Sequence, residues 1–294
     1  MGSAPPVRGV IAAMVTPFTD AGLALSETRL RAYCDFLIDQ GVNGLFAFGT
    51  TGEWPLLAES ERISGSAIIV QQVRKRVPVI AHVGAHRTEQ AIRLAAEAGA
   101  AGVDAVSIIS PPFFPLDDDA LVDHFTAVAR AVAGLPVFLY NIPELAGNDL
   151  SPRLFLRVAE KAGNVIGLKH SGDSLTRIRE YRRALGADFR LLNGNDSLAL
   201  PALHEGADGL VSGNASARPE LLASLYARFR EGRHEEAAQL QRVLDDFIAG
   251  QDSRCELSSL KALLALRGIP VGDVRLPLKR LGAGGREALR RFLP

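Results

Sequence analysis

The sequence repeats one local pattern eight times: a short apolar segment typical of a buried strand, followed by a longer segment with helical spacing. Each unit spans roughly 20 to 40 residues, enough for a strand, a helix and two short connections. This repetition predicts an α/β fold, a closed parallel TIM (β/α)8 barrel. An open doubly wound sheet is the alternative, but the Gly-x-Gly-x-x-Gly turn of that fold is missing after the first predicted strand.

The predicted elements divide the chain into two regions. The predicted strands cover residues 10–15, 44–48, 77–83, 103–109, 136–140, 165–169, 189–193 and 208–212. The helices that follow them cover residues 26–40, 59–75, 88–98, 117–133, 151–161, 173–185, 196–205 and 219–230. Beyond residue 230 the pattern predicts helices at 233–249, 257–267 and 284–292, with no strand between them. We therefore expect a barrel with the active site in residues 1–230 and a C-terminal helical extension in residues 231–294.

The overall charge argues against two classes of binding protein. Lys+Arg and Asp+Glu each total 33, so no net field favours nucleic acid or an anionic membrane.

The cysteines and the N-terminal residues bear on the compartment. Cys34 and Cys255 stand far apart and fit neither a zinc site nor a disulfide framework. The first residues lack the basic-then-apolar pattern of a signal peptide, and no apolar run is long enough to span a bilayer. We expect a soluble cytoplasmic protein.

The sixth predicted strand, Val165 to Lys169, is apolar until its last residue, which is a lysine. A buried ammonium group must be paired or lose its proton, and the free amine is a nucleophile. Such a lysine suits Schiff-base formation with a carbonyl substrate. The alternative is a structural lysine whose side chain extends from the strand end to water.

Polar residues follow several other predicted strands at the same end of the barrel. Thr50 and Thr51 follow the second strand, Tyr140 ends the fifth and Asp196 follows the seventh. In this fold the carboxyl ends of the strands meet at one mouth, which holds the active site. We therefore expect these side chains to converge with Lys169.

Two of these features have a specific chemical use. The turn Gly49-Thr50-Thr51-Gly52 offers successive backbone N–H groups and two hydroxyls, which suit a carboxylate. An ordinary glycine loop that enters a helix is the alternative. The phenol of Tyr140 can move protons to and from a substrate oxygen. Otherwise it is a strand-end aromatic with a hydrated hydroxyl.

His82 and His86 have the spacing of two metal ligands on a helix. Gly84 lies between them, however, and the segment follows a strand, so no helix aligns the two rings. We predict no metal site here.

Four motifs resemble those of the pyruvate-dependent Schiff-base aldolases, the family that includes dihydrodipicolinate synthase and N-acetylneuraminate lyase. They match in order and spacing, and the likeness covers essentially the whole chain. The motifs are Thr16-Pro17-Phe18, Gly49-Thr50-Thr51-Gly52-Glu53, Tyr140-Asn141-Ile142-Pro143 and Gly167-Leu168-Lys169.

The resemblance implies a mechanism and a substrate class. Lys169 would form a Schiff base with a 2-oxo acid, usually pyruvate or a pyruvate-yielding acid, without a cofactor or metal. Tyr140 would move the protons. The residues implied to bind the substrate are Gly49, Thr50, Thr51, Asp196 and Val211. The family also suggests a homotetramer, a dimer of dimers in which each active site lies near a tight dimer contact.

Three departures weaken the resemblance to dihydrodipicolinate synthase itself. The synthases have an arginine for the aldehyde substrate's carboxylate shortly after the Tyr-Asn-x-Pro motif, where this chain has Glu144-Leu145-Ala146. They send a tyrosine across the dimer contact, where this chain has Phe113 and Phe114. The residues that bind feedback-inhibiting lysine are replaced by Glu59, His86 and Gln90, so we do not expect inhibition by lysine.

The acceptor side of the site thus offers Glu144 and Asp196 but no matched arginine, which favours a neutral or hydroxylated substrate tail. Our leading hypothesis is a lyase that cleaves a 4-hydroxy-2-oxo acid into pyruvate and an aldehyde by a retro-aldol reaction. The enzymatic alternatives are a 2-oxo-3-deoxy sugar-acid dehydratase and dihydrodipicolinate synthase. The non-enzymatic alternative is a pyruvate sensor that keeps the lysine without turnover.

Overall fold

The computed structural model describes residues 7–19, 23–251 and 255–294. Residues 1–6, on which most of the expectation about a signal peptide rests, lie outside these ranges. Within the described ranges, no helix combines the length and the apolar character needed to cross a membrane.

Within the same ranges, eight parallel strands form a closed barrel in which each strand pairs with the next and the last pairs with the first. The prediction of a TIM barrel is therefore confirmed. The strands are β1 (Gly9–Ala13), β2 (Gly44–Ala47), β3 (Val79–His82), β4 (Ala105–Ile109), β5 (Val137–Asn141), β6 (Val165–His170), β7 (Arg190–Asn193) and β8 (Gly209–Ser212).

Helices surround the barrel and continue beyond it. Those that accompany the strands are α1 (Glu27–Asp39), α2 (Glu59–Val73), α3 (Thr88–Ala101), α4 (Asp118–Ala131), α5 (Pro143–Ala146), α6 (Pro152–Lys161), α7 (Leu175–Leu185), α8 (Ala199–His204) and α9 (Pro219–Arg230). The C-terminal helices are α10 (His234–Ala249), α11 (Glu256–Leu266) and α12 (Ala283–Ala288), followed by a 3-10 turn at Leu289–Phe292. The predicted C-terminal helices are confirmed, and the domain boundary at residue 230 stays a prediction.

Helix α5 lies between the predicted strand at 136–140 and the predicted helix at 151–161, where the sequence pattern predicts no helix. Pro143 begins this helix, where its fixed φ angle is favourable, and Gly147 ends it with a φ of 72°. A helix of four residues is too short to show a helical hydrophobic period, so the sequence pattern did not reveal it.

Strand β1 ends earlier than predicted. The sequence predicts a strand up to Val15, but the ladder stops at Ala13. Beyond that point the chain turns so that the Thr16 hydroxyl donates to the carbonyl oxygen of Gly52 at 2.6 Å. The chain after β1 therefore contacts the loop after β2.

Large apolar side chains fill the barrel interior below the mouth. The ring of Phe138 on β5 takes the space beside Gly167 on β6, because a Cβ at Gly167 would lie 2.7 Å from that ring and 2.4 Å from the Arg190 carbonyl oxygen. The interior cluster comprises Val7, Ile11, Ala13, Phe46, Ile80, Ala105, Phe138, Leu192 and Val211. These side chains pack the barrel interior below the mouth, and in this fold the active site lies at the upper end of the barrel.

Candidate active site

The two residues predicted to carry the chemistry are neighbours in the barrel. Tyr140 on β5 and Lys169 on β6 are partners in the parallel ladder. The amino group of Lys169 lies 3.9 Å from the centre of the Tyr140 ring and 4.5 Å from the centre of the Phe46 ring. Because residues of parallel strands in register point to the same face, the structure brings the amine and the phenol together inside the barrel mouth.

Lys169 is buried, with only 4% of its surface exposed. Its amino group contacts the faces of two aromatic rings, those of Phe46 and Tyr140. This burial does not fit the alternative of a structural lysine that extends to water. The amine is instead held at one position, as a covalent catalyst requires.

The phenol of Tyr140 is coupled to its neighbours. Its hydroxyl lies 3.2 Å from the Thr50 hydroxyl, and either oxygen can donate the hydrogen bond. Burial raises the pKa of the Tyr140 phenol, but the charge of Lys169 and the interactions with neighbouring polar side chains, Thr50 among them, together outweigh burial, and the pKa is lowered overall. A lower phenol pKa makes proton exchange near neutral pH easier.

The turn after β2, from Phe48 to Glu53, has a constrained backbone. Its two end residues have left-handed conformations, with φ angles of 57° at Phe48 and 62° at Glu53. Such angles are uncommon for non-glycine residues and persist where the surroundings impose them. Nδ1 of His82 lies 3.1 Å from the Phe48 carbonyl oxygen, and Thr16 bonds the Gly52 carbonyl oxygen. These contacts fix the two threonines between the ends of the turn.

A cavity of about 250 Å³ opens at this mouth. The predicted site residues on its wall are Lys169, Tyr140, Thr50, Thr51, Asp196 and Val211. Gly49 is not on the wall. A Cβ at Gly49 would lie 2.6 Å from the ring of Phe46, so this glycine lets the turn pack closely on the barrel interior.

The acceptor side differs from the expectation at Glu144. Ile142 and Leu145 line the cavity, and Glu144 does not. The cause is helix α5, which the sequence pattern did not reveal. Its helical turn brings Leu145 to the cavity wall in place of its neighbour.

Asp196 reaches the cavity from the 3-10 turn that follows β7, Asp196–Leu198. One carboxylate oxygen accepts hydrogen bonds from the backbone N–H of Asn214 at 3.0 Å and from its side-chain amide at 2.8 Å. Burial raises the pKa of the Asp196 carboxyl, and the bonds from Asn214 offset this only in part. The carboxyl group is thus fixed in position at the cavity wall.

The cavity wall also contains residues that the sequence did not predict, among them Ser171 and Glu256. Ser171 lies two positions after Lys169, so the two-residue period of a strand was a signal that could have revealed it. The Ser171 hydroxyl is buried and has no hydrogen-bond partner within the described part of the chain. Glu256 comes from the first turn of α11 and keeps part of its surface exposed. Partial desolvation, and after it the charge of Asp196, raise the pKa of its carboxyl. No sequence signal linked this helix to the barrel mouth.

The rings of His82 and His86 have different hydrogen-bond and ring contacts. The ring of His86 lies 5.6 Å from that of Trp54, and His82 contacts the Phe48 carbonyl. Burial holds the pKa of His82 well below its ordinary range. Among residues 7–19, 23–251 and 255–294, no group of three or more His, Cys, Asp or Glu side chains is placed to hold a metal ion.

Comparison with known proteins places this geometry in one family. The model of the dihydrodipicolinate synthetase family matches residues 6–294. The sequence is 37% identical over 290 residues to an uncharacterised DapA-like lyase of Halobacterium salinarum, and the match covers 98% of this chain and 94% of that relative.

Solved structures give the same result. YagE, a prophage protein of the dihydrodipicolinic acid synthase family from E. coli K12 solved with pyruvate, has a TM-score of 0.92 and 30% identity, covering 98% of this chain and 97% of its own. A catalytic lysine mutant of a Ruminococcus gnavus sialic acid aldolase has a TM-score of 0.94 and 28% identity, covering 97% of this chain and 94% of its own. The chain therefore belongs to the dihydrodipicolinate synthetase family and is a lyase of that family.

Proposed function

We propose that this protein cleaves a 4-hydroxy-2-oxo acid by a retro-aldol reaction and releases pyruvate and an aldehyde. The observation that carries the proposal is the buried amine of Lys169, 3.9 Å from the centre of the Tyr140 ring, on the wall of a cavity shared with Thr50 and Thr51. A fixed amine beside a proton-transfer group is the arrangement that imine chemistry needs. The sialic acid aldolase relative, whose lysine is described as catalytic, supports the same assignment.

In the proposed reaction, Lys169 attacks the ketone carbon of the substrate and water leaves, which gives a protonated imine. Removal of the proton from the 4-hydroxyl then breaks the bond between C3 and C4. The electrons of that bond move into the imine to form an enamine, and the aldehyde leaves. Protonation of C3 and hydrolysis of the imine release pyruvate and restore the free lysine.

The substrate carboxylate is assigned to the turn after β2. Thr50 and Thr51 offer hydroxyl and backbone N–H donors on the cavity wall, and Gly49 gives the turn its close packing. Donors held in place before the substrate arrives stabilise a negative charge without reorganising.

Tyr140 is the proposed proton carrier. Its hydroxyl bonds that of Thr50. The hydroxyl of Ser171, which has no hydrogen-bond partner among the described residues, lies on the same cavity wall. These hydroxyls supply a route for protons within one subunit. The route does not require the cross-subunit tyrosine that Phe113 and Phe114 replace.

The tail of the substrate is proposed to be hydroxylated and uncharged. Among the described residues of the cavity wall, Lys169 is the only cationic side chain, and Asp196 and Glu256 are the acidic ones. A tail carboxylate would meet two acidic groups without a cationic partner, which disfavours its binding. Hydroxyl groups can instead donate hydrogen bonds to these carboxyls.

The acidic pair also favours one rival reaction. Desolvation raises the pKa values of the Asp196 and Glu256 carboxyls. A raised pKa increases the fraction of a carboxyl in the protonated form, which is the form that donates a proton to a leaving hydroxyl. A 2-oxo-3-deoxy sugar-acid dehydratase would use such a donor, because it expels water from the same imine where the lyase breaks a carbon–carbon bond.

Product analysis on a panel of 4-hydroxy- and 3-deoxy-2-oxo acids tests the proposal. We expect equal amounts of pyruvate and an aldehyde from at least one member with a hydroxylated tail. A product that keeps all its carbon atoms and has lost water would replace the lyase with the dehydratase. Turnover only with pyruvate and aspartate semialdehyde would identify a dihydrodipicolinate synthase, and pyruvate binding without any product would indicate a sensor.

We also propose that the protein is a cytoplasmic homotetramer built from two dimers. Phe113 and Phe114 are 84% and 67% exposed, and their rings contact each other edge to face with centroids 5.0 Å apart. They line a cavity of about 470 Å³ on the same surface. Two adjacent exposed aromatic side chains beside a hollow favour a contact between subunits. The free, buried cysteines Cys34 and Cys255 suit the reducing cytoplasm.

A further inference from the structure

The C-terminal helical region reaches the carboxylate-binding turn through a buried ion pair. The amino group of Lys261 on α11 lies 2.6 Å from the carboxylate of Glu53, the last residue of the turn. The side chains are 1% and 0% exposed. Removing two charges from water costs free energy that their attraction often only balances, so stability alone gives a weak reason for such a pair.

Both carboxylate oxygens of Glu53 have a partner from the C-terminal region. Oε1 faces Lys261, and Oε2 accepts a hydrogen bond from the backbone N–H of Arg275 at 2.9 Å. Lys261 is itself fixed, because it donates to the carbonyl oxygen of Asp273 at 3.1 Å and lies 4.1 Å from the centre of the Phe18 ring. The Glu53 side chain is therefore held from two directions by groups outside the barrel strands.

The backbone of Glu53 constrains the rest of the segment from Phe48 to Glu53. Its φ of 62° is left-handed, a conformation that a glutamate adopts only when its surroundings impose it. Its N–H donates to the Thr50 carbonyl oxygen at 3.0 Å. A change in the direction of the Glu53 side chain would therefore turn the peptide that joins Thr50 to Thr51, the two residues assigned to the substrate carboxylate.

We propose that Lys261 is a positioning residue for the 2-oxo acid, and that it acts through Glu53 on the turn that binds the substrate carboxylate. The inference rests on the proposed function. It gives the C-terminal region a role in substrate binding, although that region supplies no group to the imine chemistry.

A positioning role and a purely structural role predict different measurements. If Lys261 only stabilises the fold, its removal lowers the unfolding midpoint and leaves the affinity for pyruvate unchanged. If it positions the turn, its removal weakens pyruvate binding much more than it slows imine formation at saturating pyruvate, because Lys169 and Tyr140 are untouched.

The experiment measures the rate at which pyruvate and borohydride label the full-length protein, over a range of pyruvate concentrations. We expect Lys261→Met to raise the half-saturating pyruvate concentration by about tenfold or more, the effect of losing one or two charge-assisted hydrogen bonds. The saturating rate should stay within about threefold of the wild type, since chemistry at the amine is intact. Lys279→Met, which replaces an exposed lysine of the same region, is the matched control and should leave both quantities unchanged.

A second variant covers the case in which the unpaired Glu53 carboxylate prevents folding. Glu53→Gln combined with Lys261→Met removes both charges, and the glutamine oxygen can still accept from the Arg275 N–H. We expect this double variant to unfold cooperatively, which shows that it is folded. Its half-saturating pyruvate concentration should still be raised about threefold or more, because the attraction of the Lys261 ammonium group on residue 53 is lost.

Three outcomes are distinguishable. A raised half-saturating concentration in the folded variants supports the inference. Wild-type affinity in either folded variant overturns it while leaving the proposed function in place. Absence of label in the wild-type protein removes the proposed function and this inference together.

Discussion

At the scale of single residues, the proposed reactivity of Lys169 depends on its aromatic neighbours. Phe46 and Tyr140 hold the amine between two ring faces, and Tyr140 also places a hydroxyl beside that of Thr50. In the proposed reaction, the Tyr140 side chain thus both orients the nucleophile and provides the proton carrier. These two contributions can be separated, because a phenylalanine keeps the ring and loses the hydroxyl.

Tyr140→Phe is therefore expected to lower kcat by about 10²- to 10⁴-fold, the usual contribution of a positioned acid–base group. The measurement is steady-state turnover of whichever panel substrate the wild type cleaves. Tyr33→Phe is a matched control, since Tyr33 is also fully buried but does not line the cavity. Its hydroxyl donates a hydrogen bond to the carbonyl oxygen of Ser216. An unchanged kcat in Tyr140→Phe would exclude the phenol as the proton carrier.

How far the site could be predicted from sequence depended on whether a residue lay at a strand end. Lys169, Tyr140 and Asp196 were recognisable because parallel strands bring their carboxyl ends to one mouth. Ser171 follows Lys169 by two positions, so the two-residue period of a strand also places it on the same face. Glu256 could not be found this way, because its place depends on how a helix beyond the barrel packs against the mouth.

At the scale of elements, the loop after β7 packs against the side chain of Lys169 at Gly194. A Cβ there would lie 2.9 Å from Cε of Lys169 and 2.1 Å from the hydroxyl oxygen of Ser171. The loop therefore packs so closely on Lys169 and Ser171 that no side-chain atom fits at Gly194. The glycine allows the loop to form one wall of the cavity.

Gly194→Ala is expected to displace the lysine side chain and slow labelling by pyruvate and borohydride about 10- to 100-fold, because a displacement of about 1 Å at a reacting group has effects of this size. Gly163→Ala is the matched control, since no atom lies within 4 Å of a Cβ at that position. Equal labelling rates in both variants would contradict a tight fit around Lys169.

The elements themselves were largely predictable, and their limits were not. Long helices and buried strands gave clear periods, whereas α5 was too short to give one. The end of β1 depended on a hydrogen bond between Thr16 and Gly52, which belong to different units of the barrel. Such tertiary contacts decide where a strand stops, and local pattern does not contain them.

At the scale of the whole molecule, buried histidines make stability depend on pH. Burial lowers the pKa values of His124 and His170 from 6.5 to about 4. In the unfolded chain each takes up a proton near pH 6.5, whereas in the folded protein it stays neutral down to about pH 4. Protons thus bind the unfolded state preferentially in this window, and stability falls as the pH decreases through it.

We expect the urea midpoint to fall between pH 6.5 and 4, since each histidine contributes a free energy of order a few kcal/mol to this change. His124→Gln should reduce the fall, because it removes one of the buried histidines with a lowered pKa, which are His82, His124 and His170. His234→Gln, at an exposed position of α10, is the control and should leave the fall unchanged. A fall of the same size in His124→Gln would contradict the role assigned to that histidine.

The proposed assembly gives a second prediction at this scale. Phe113→Asp combined with Phe114→Asp places two charges on the exposed aromatic surface and should convert the tetramer to a smaller species, because buried unpaired charges oppose association. Sedimentation velocity measures the change. Val243→Asp, at an apolar residue of α10 that is 45% exposed, is the control. A tetramer that survives the double substitution would exclude this surface as a subunit contact.

The closed barrel could be predicted from eight repeated units because each apolar strand must be covered on both faces. The contact between the barrel and the C-terminal helices could not be predicted from the sequence. It depends on Lys261 and Glu53, which lie far apart in sequence and in different regions, and no periodic pattern connects them.

The central claim is that Lys169 captures the ketone of a 2-oxo acid. Reduction of the pyruvate-treated protein with borohydride, followed by peptide mass mapping, tests it most directly. We predict one reduced pyruvate per chain, on the peptide that contains Lys169, and none in Lys169→Arg. A label on another lysine, or no label at saturating pyruvate, would contradict the claim.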